Sequence, residues 1–136
     1  MVRLVIKPKL RLDYASERKE SYRFDPEVPK EFLFDYKGYK VFDVDGNYVR
    51  NNIDIDFNGG GNPSRYQYVP DDELWIEKLS NNVETDIMGY TVHEYIECER
   101  MKKLGETYEV AHDKASQIEK KVRKHYEQKN ETGNNR

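Results

Sequence analysis

The segment TVHEYIECERM, residues 91–101, sets His93 and Glu97 four residues apart, with Glu94 directly after the histidine. On a helix, side chains at i and i+4 can reach one divalent ion. The residue after the first of them points to the flank, where it can act on ion-bound water. A further histidine, His112, and a glutamate, Glu119, follow on a second helical stretch. These types suit a zinc shell, in which imidazole nitrogen and carboxylate oxygen leave one position for water. The expected ligands are His93, Glu97 and His112, with Glu94 as general base. Glu119 is a reserve ligand or a partner behind the ligands. The expected cofactor is Zn2+ or another divalent transition metal, because a carboxylate ligand also admits harder ions such as manganese or iron.

Each residue also has a plainer reading. His93 could be a core histidine satisfied by a carboxylate, with Glu97 paired to Arg100 at i+3. His112 could be a core or capping histidine, and Glu94 a solvated helix residue. Tyr108 could donate to an oxyanion in a peptidase transition state or be a core aromatic. Burying unpaired carboxylates costs several kcal/mol. A shared ion answers two histidines and up to three glutamates together.

The elements that must position these groups are two helices. The first is expected from about Val83 to Leu104, ending at Gly105, where a left-handed residue is wanted. The second runs from about Thr107 to Gln128. At 3.6 residues per turn, Glu97 lies about 40° and Leu104 about 20° from His93, within a stripe with Tyr90 and Met101 that should face the core. Glu94 lies about 100° round, at the edge of that stripe. Ala111 and Ala115 would let the helices approach closely, bringing His112 toward His93. Cys98 lies about 140° away and is read as a buried thiol. As the only cysteine it excludes an intrachain disulfide and a cysteine-based zinc cluster.

Before the helices the chain reads as strands and turns. RLVI and KLRLDY are strand candidates broken by Pro8, and DPEVPKEF reads as a loop. Asp45-Gly46 predicts a hairpin turn, followed by a strand whose Ile53, Ile55 and Phe57 alternate with Asp54 and Asp56. Gly59-Gly60-Gly61 reads as a flexible turn, and RYQYVP and ELWIEKL as further short strands. The fold class expected is α+β: a small antiparallel β-meander followed by a C-terminal two-helix hairpin. It forms a single domain, with N-terminal strands and a loop over 1–40, the meander over 41–79, the hairpin over 83–128 and a disordered tail over 129–136.

Charged and hydrophobic residues each make up 36% of the chain, which would suggest disorder but for 11 Tyr, 5 Phe and 1 Trp. A formal net charge of −3 argues against nucleic acid as the main partner. The basic ends, including Lys120, Lys121, Arg123, Lys124 and Lys129, keep a nucleic-acid-binding accessory as a minor alternative. Asp43, Asp45, Asp54 and Asp56 do not follow a calcium-loop spacing and read as a solvated acidic face. No stretch has signal-peptide or transmembrane character, so a soluble cytoplasmic protein is expected.

HEYIE at 93–97 resembles the metal-binding helix of the zincin metallopeptidases, with Glu97 in place of the usual second histidine. The resemblance implies a third ligand downstream and a strand just before the helix that forms the sheet edge along which a peptide lies. ELWIEKL, 73–79, is placed to be that strand. VDGNYVRNNIDIDFNGGG, YVPDDELWIE and HEYIECERMKKLGETYEVAHDKASQIE are similar to successive blocks of a group of small microbial and phage proteins, over roughly residues 41–119. The implied function is a minimal metal-dependent peptidase with a peptide or protein substrate. The alternative is a non-catalytic partner-binding or regulatory domain of the same fold.

Overall fold

The computed structural model describes residues 24–77 and 83–134, with side chains through residue 129. The strand candidates RLVI and KLRLDY lie outside the described residues. Strands β1 (Lys30–Tyr36) and β2 (Tyr39–Val44) form an antiparallel hairpin. Its turn is Lys37-Gly38, whose φ angles of 49° and 92° are both left-handed, the geometry a two-residue hairpin loop demands. The proline-containing loop is therefore shorter than expected and gives way to strand at Lys30.

Asp45-Gly46 is not a hairpin turn. Asp45 caps a short helix, α1 (Gly46–Asn52), its carboxylate accepting from the Tyr48 backbone N–H at 3.1 Å. An aspartate before a glycine serves either role, and here capping wins. The strand expected over 53–57 is also absent. Asp54 is 1% exposed and accepts from the Tyr68 hydroxyl, whereas Ile55 is 70% exposed, the reverse of the expected facing. RYQYVP forms turns rather than a strand, and its Tyr66 and Tyr68 rings stack at 4.9 Å.

Strand β3 is only Gly60–Gly61, and β4 is Glu73–Glu77. The sheet order is β1-β2-β4-β3, with β2 and β4 parallel and the other pairs antiparallel. The sheet is thus mixed, not a meander, because the segment from α1 to β4 crosses over before pairing. Strand β4 is flanked on both sides, so it is not the edge that the zincin resemblance implied. The short β3 is.

Both faces of β4 are covered, which explains its unbroken apolar centre Leu74-Trp75-Ile76. Trp75 joins Val44, Val49, Phe57 and Tyr68 on the α1 side. Leu74 and Ile76 join Tyr39, Val41 and Cys98 under the long helix α2 (Glu84–Leu104). Gly105, at φ 68°, ends α2 as expected, and α3 (Tyr108–Asn134) returns along it, running past the expected end at Gln128. Ala111 and Ala115 are fully buried in that helix pair, as the small-residue argument requires. Leu104, the last residue of α2, departs from the stripe and is 61% exposed. The architecture is α+β with a C-terminal helix pair. Among the described residues no helix is long and apolar enough to cross a membrane.

Candidate metal centre

Helix α2 presents His93, Glu94 and Glu97 to the interior, and all three are buried. Helix α3, drawn close by Ala111 and Ala115, places the His112 ring 4.7 Å from that of His93, centroid to centroid. Three atoms converge. His93 Nε2 lies 3.2 Å from Glu97 Oε2 and 3.2 Å from His112 Nδ1, and the last two are 3.0 Å apart. Atoms each about 2.1 Å from one ion are about 3.0 Å apart at right angles and about 3.4 Å apart in a tetrahedron. The triangle falls in that range, so the His93, Glu97 and His112 cluster could hold a metal ion. Hydrogen bonding satisfies it less well, since each ring nitrogen brings at most one proton to three mutual contacts.

Glu119 is not in the triangle. Its Oε1 takes Nδ1 of His93 at 2.9 Å, and its Oε2 accepts from Arg123 Nε at 2.7 Å. Arg123 is anchored in turn by Asp86 at the start of α2. Glu119 thus lies behind His93: with Nδ1 engaged, Nε2 is directed at Glu97 and His112. Burial works against a charge on His93, but the Glu119 and Glu97 hydrogen bonds and the nearby glutamate charges outweigh it, raising His93 to about 10. Burial likewise opposes ionisation of Glu97, yet His112 and His93 hold it below its ordinary range.

Glu94 stands beside the triangle. Burial first, and then the charge of Glu97, push it up to about 8. A carboxyl that gains and loses its proton near neutrality is suited to general acid–base work. Arg100, which the plainer reading paired with Glu97, instead forms a two-pronged bond with Glu106 at 2.8 and 2.7 Å. Tyr108 turns its hydroxyl to His112 Nδ1 at 3.3 Å, and burial, followed by the charge of Glu97, keeps that hydroxyl protonated. Cys98 is fully buried on the far side of α2, bonded to Ser64 and Tyr39, and takes no part.

Two contributors were missed in the sequence. Asn62, fully buried, donates from Nδ2 to Glu94 Oε1 at 2.9 Å and to Glu97 Oε1 at 3.0 Å. Its Oδ1 accepts from the backbone of Ser64 and Arg65, so one amide ties a turn to both carboxylates. Gly60 is the other. A Cβ there would meet the Trp75 carbonyl oxygen at 2.7 Å and Glu94 Oε2 at 3.0 Å, so Gly60 and Gly61 form a close-packed strand, and only Gly59, at φ 79° with open space beside it, keeps a turn. The Asn62-Pro63 dipeptide was the available signal, since Asn before Pro favours a turn closed by the Asn side chain.

The centre opens into a cleft of about 340 Å³ bounded by Gly59, Gly60, Arg65, Tyr66, Tyr90 and Ser116 in addition to the groups above. The chain matches no protein-family model, no curated protein and no solved structure.

Proposed function

We propose that the chain is a zincin-like metal-dependent hydrolase acting on a peptide bond, with Zn2+ or another divalent transition metal held by His93, Glu97 and His112. The observation that carries this reading is the triangle of donor atoms with Glu94 buried at its flank, at the floor of an open cleft. When bound, the ion supplies Lewis acidity to polarise a carbonyl and make water nucleophilic near neutral pH. Glu94 takes the proton of the attacking water and returns it to the leaving amine, a role its raised proton affinity suits. Asn62 keeps the Glu94 carboxylate facing the cleft during that exchange. Glu119 and Arg123 hold the His93 ring in the tautomer that the centre needs. Tyr108 keeps its hydroxyl protonated at the edge of the site.

The test begins with elemental analysis of the full-length protein purified without added metal, beside a His93→Ala/His112→Ala variant. About one transition metal per molecule, absent from the variant, supports the centre. No metal, and none taken up on titration, ends the hydrolase reading. Glu94→Gln then separates chemistry from binding: it should retain metal and lose peptide cleavage. Cleavage at the wild-type rate would remove Glu94 from the mechanism.

A second reading is a metal-holding module without chemistry that binds a partner. The Asn62 clamp favours it, because a carboxyl fixed by a buried amide can serve structure alone. A metal-loaded wild type that cleaves nothing in a mixed peptide library would support that reading over the first. Nucleic-acid binding is the weakest reading, since Arg123 of the basic run is committed to Asp86 and Glu119.

A further inference from the structure

Gly89 is buried within α2, one turn before His93. Glycine suits a helix interior less well than alanine, because it loses more backbone freedom on ordering. Its φ is not positive, so the backbone does not call for a glycine here either. What calls for it is space. A Cβ at residue 89 would lie 2.8 Å from Nε, 2.9 Å from Cζ and 3.0 Å from Cγ of Arg123, and these are the three nearest atoms. The missing side chain is the seat of a guanidinium that reaches across from α3.

The guanidinium is held on that seat. Nε donates to Glu119 Oε2 at 2.7 Å, Nη1 donates to Asp86 Oδ1, and Cζ lies 4.8 Å from the centroid of the Tyr90 ring. Asp86, Gly89 and Tyr90 belong to α2, so Arg123 ties α3 to the turn of helix that leads into His93. Glu119 passes the constraint on, since its other oxygen, Oε1, takes His93 Nδ1 at 2.9 Å. A methyl group at residue 89 would meet the end of a flexible side chain and not backbone, so the guanidinium would move while the helices stay. Glu119 Oε2 would then lose its donor, and the carboxylate could turn away from Nδ1.

We propose that Gly89 is a positioning residue of the metal centre: it seats Arg123, which fixes Glu119 and through it the His93 ring. The glycine gives up helix propensity for the order of the centre. This inference rests on the metal-centre reading, and the experiment below separates the two.

Cobalt(II) is titrated into the full-length wild type, Gly89→Ala, Arg123→Ala and the double variant. Visible absorption reports occupancy and ligand geometry, and competition with a chelator gives the affinity. A partner directly behind a ligand is worth roughly 10–100-fold in affinity, so groups further out should be worth less, about three- to tenfold. Gly89→Ala and Arg123→Ala should each lose affinity in that range and show the same altered cobalt spectrum. The double variant should lose no more than Arg123→Ala alone, because both substitutions break one chain of contacts. Urea denaturation in chelator follows the helix itself. Added to Arg123→Ala, the Gly89→Ala change should raise the midpoint, since only helix propensity then remains.

Wild-type affinity in Gly89→Ala would overturn the inference. So would losses that multiply in the double variant, because the glycine would then act without Arg123. A midpoint that falls in the double variant has the same force, since the methyl group would be striking something other than the guanidinium. If Gly89→Ala does not fold, the double variant must restore the fold, and its failure to do so makes the glycine structural and ends the proposal. No cobalt uptake by the wild type overturns the metal centre and this inference together.

Discussion

Glu119 Oε1 lies 2.9 Å from Nδ1 of His93, so the buried imidazole is gripped from behind while its Nε2 faces Glu97 and His112. A carboxylate in this position fixes the ring and raises its basicity as a ligand. Loss of such a partner costs roughly 10–100-fold in metal affinity. We predict a loss in that range for Glu119→Gln, which keeps the shape but not the charge. Arg123→Gln, one contact further out, should lose less. Competition against a chromophoric chelator measures both, and unchanged affinity in Glu119→Gln would refute the role given to this residue.

Protonation gives a second prediction. His93 is raised to about 10, so its contribution to metal-free stability is full below its ordinary value of 6.5 and is lost as pH rises toward 10. Glu94 is a carboxyl raised to about 8, so its protonated form favours the fold and ionisation removes that support between 4.5 and 8. Both act in the same direction. In chelator, the Tm should fall as pH rises from about 6.5 to 10, the window between the ordinary and raised values of His93. With metal present the fall should flatten, because binding displaces protons and grows stronger with pH. A Tm independent of pH in chelator would contradict the proton assignment.

Gly60→Ala places a methyl group against a backbone carbonyl that has little room to yield, and against Glu94. Overpacking of this kind costs about 1–3 kcal/mol. Gly38→Ala, where the new Cβ meets nothing within 4 Å, should cost only the left-handed strain at φ 92°, about 1 kcal/mol. Urea denaturation of the two variants tests the order. Equal destabilisation would mean that β3 can move away freely.

Asn62→Ala removes the donor shared by Glu94 and Glu97 along with the acceptor that closes the 62–65 turn. Hydrogen bonds to charged groups contribute about 1.5–3 kcal/mol each, so a loss of about 3 kcal/mol or more is expected. Asn62→Asp should be worse without metal, because it adds a third carboxylate to the pair, and should recover partly when metal is supplied. Denaturation with and without metal reads both effects. A metal-free Asn62→Asp as stable as the wild type would show that the carboxylates are not crowded.

The helical half of this arrangement was legible in the sequence because its signals are local and periodic. HEYIE, the small residues Ala111 and Ala115, and Gly105 each declare a helix face or a helix end. Spacing along one helix put His93 and Glu97 on a shared face, and the small residues of the second helix allowed the approach that brings His112 to them. The sheet half was not legible. Asp45-Gly46 carries two compatible meanings, a hairpin turn or a helix cap, and only packing under Glu77 and β4 decides between them. The alternation at 53–57 is a period-two pattern, yet Asp54 is buried along with Phe57 while Ile55 is exposed, and the partner of Asp54, Tyr68, lies 14 residues away. Asn62 and Gly60 left no periodic trace, because a buried amide clamp and a close backbone approach depend on one contact each.

The three converging side chains are separated by only 4, 15 and 19 residues, all within one helix–turn–helix. Asn62 meets Glu94 and Glu97 across 32 and 35 residues. Contacts close in sequence form early because they close small loops, and distant ones form later. The His93, Glu97 and His112 triangle can therefore assemble as soon as α2 and α3 zip together, before the sheet delivers Asn62 to Glu94. During refolding, metal capture should precede the acquisition of any catalytic competence, leaving a transient species that is loaded but inert.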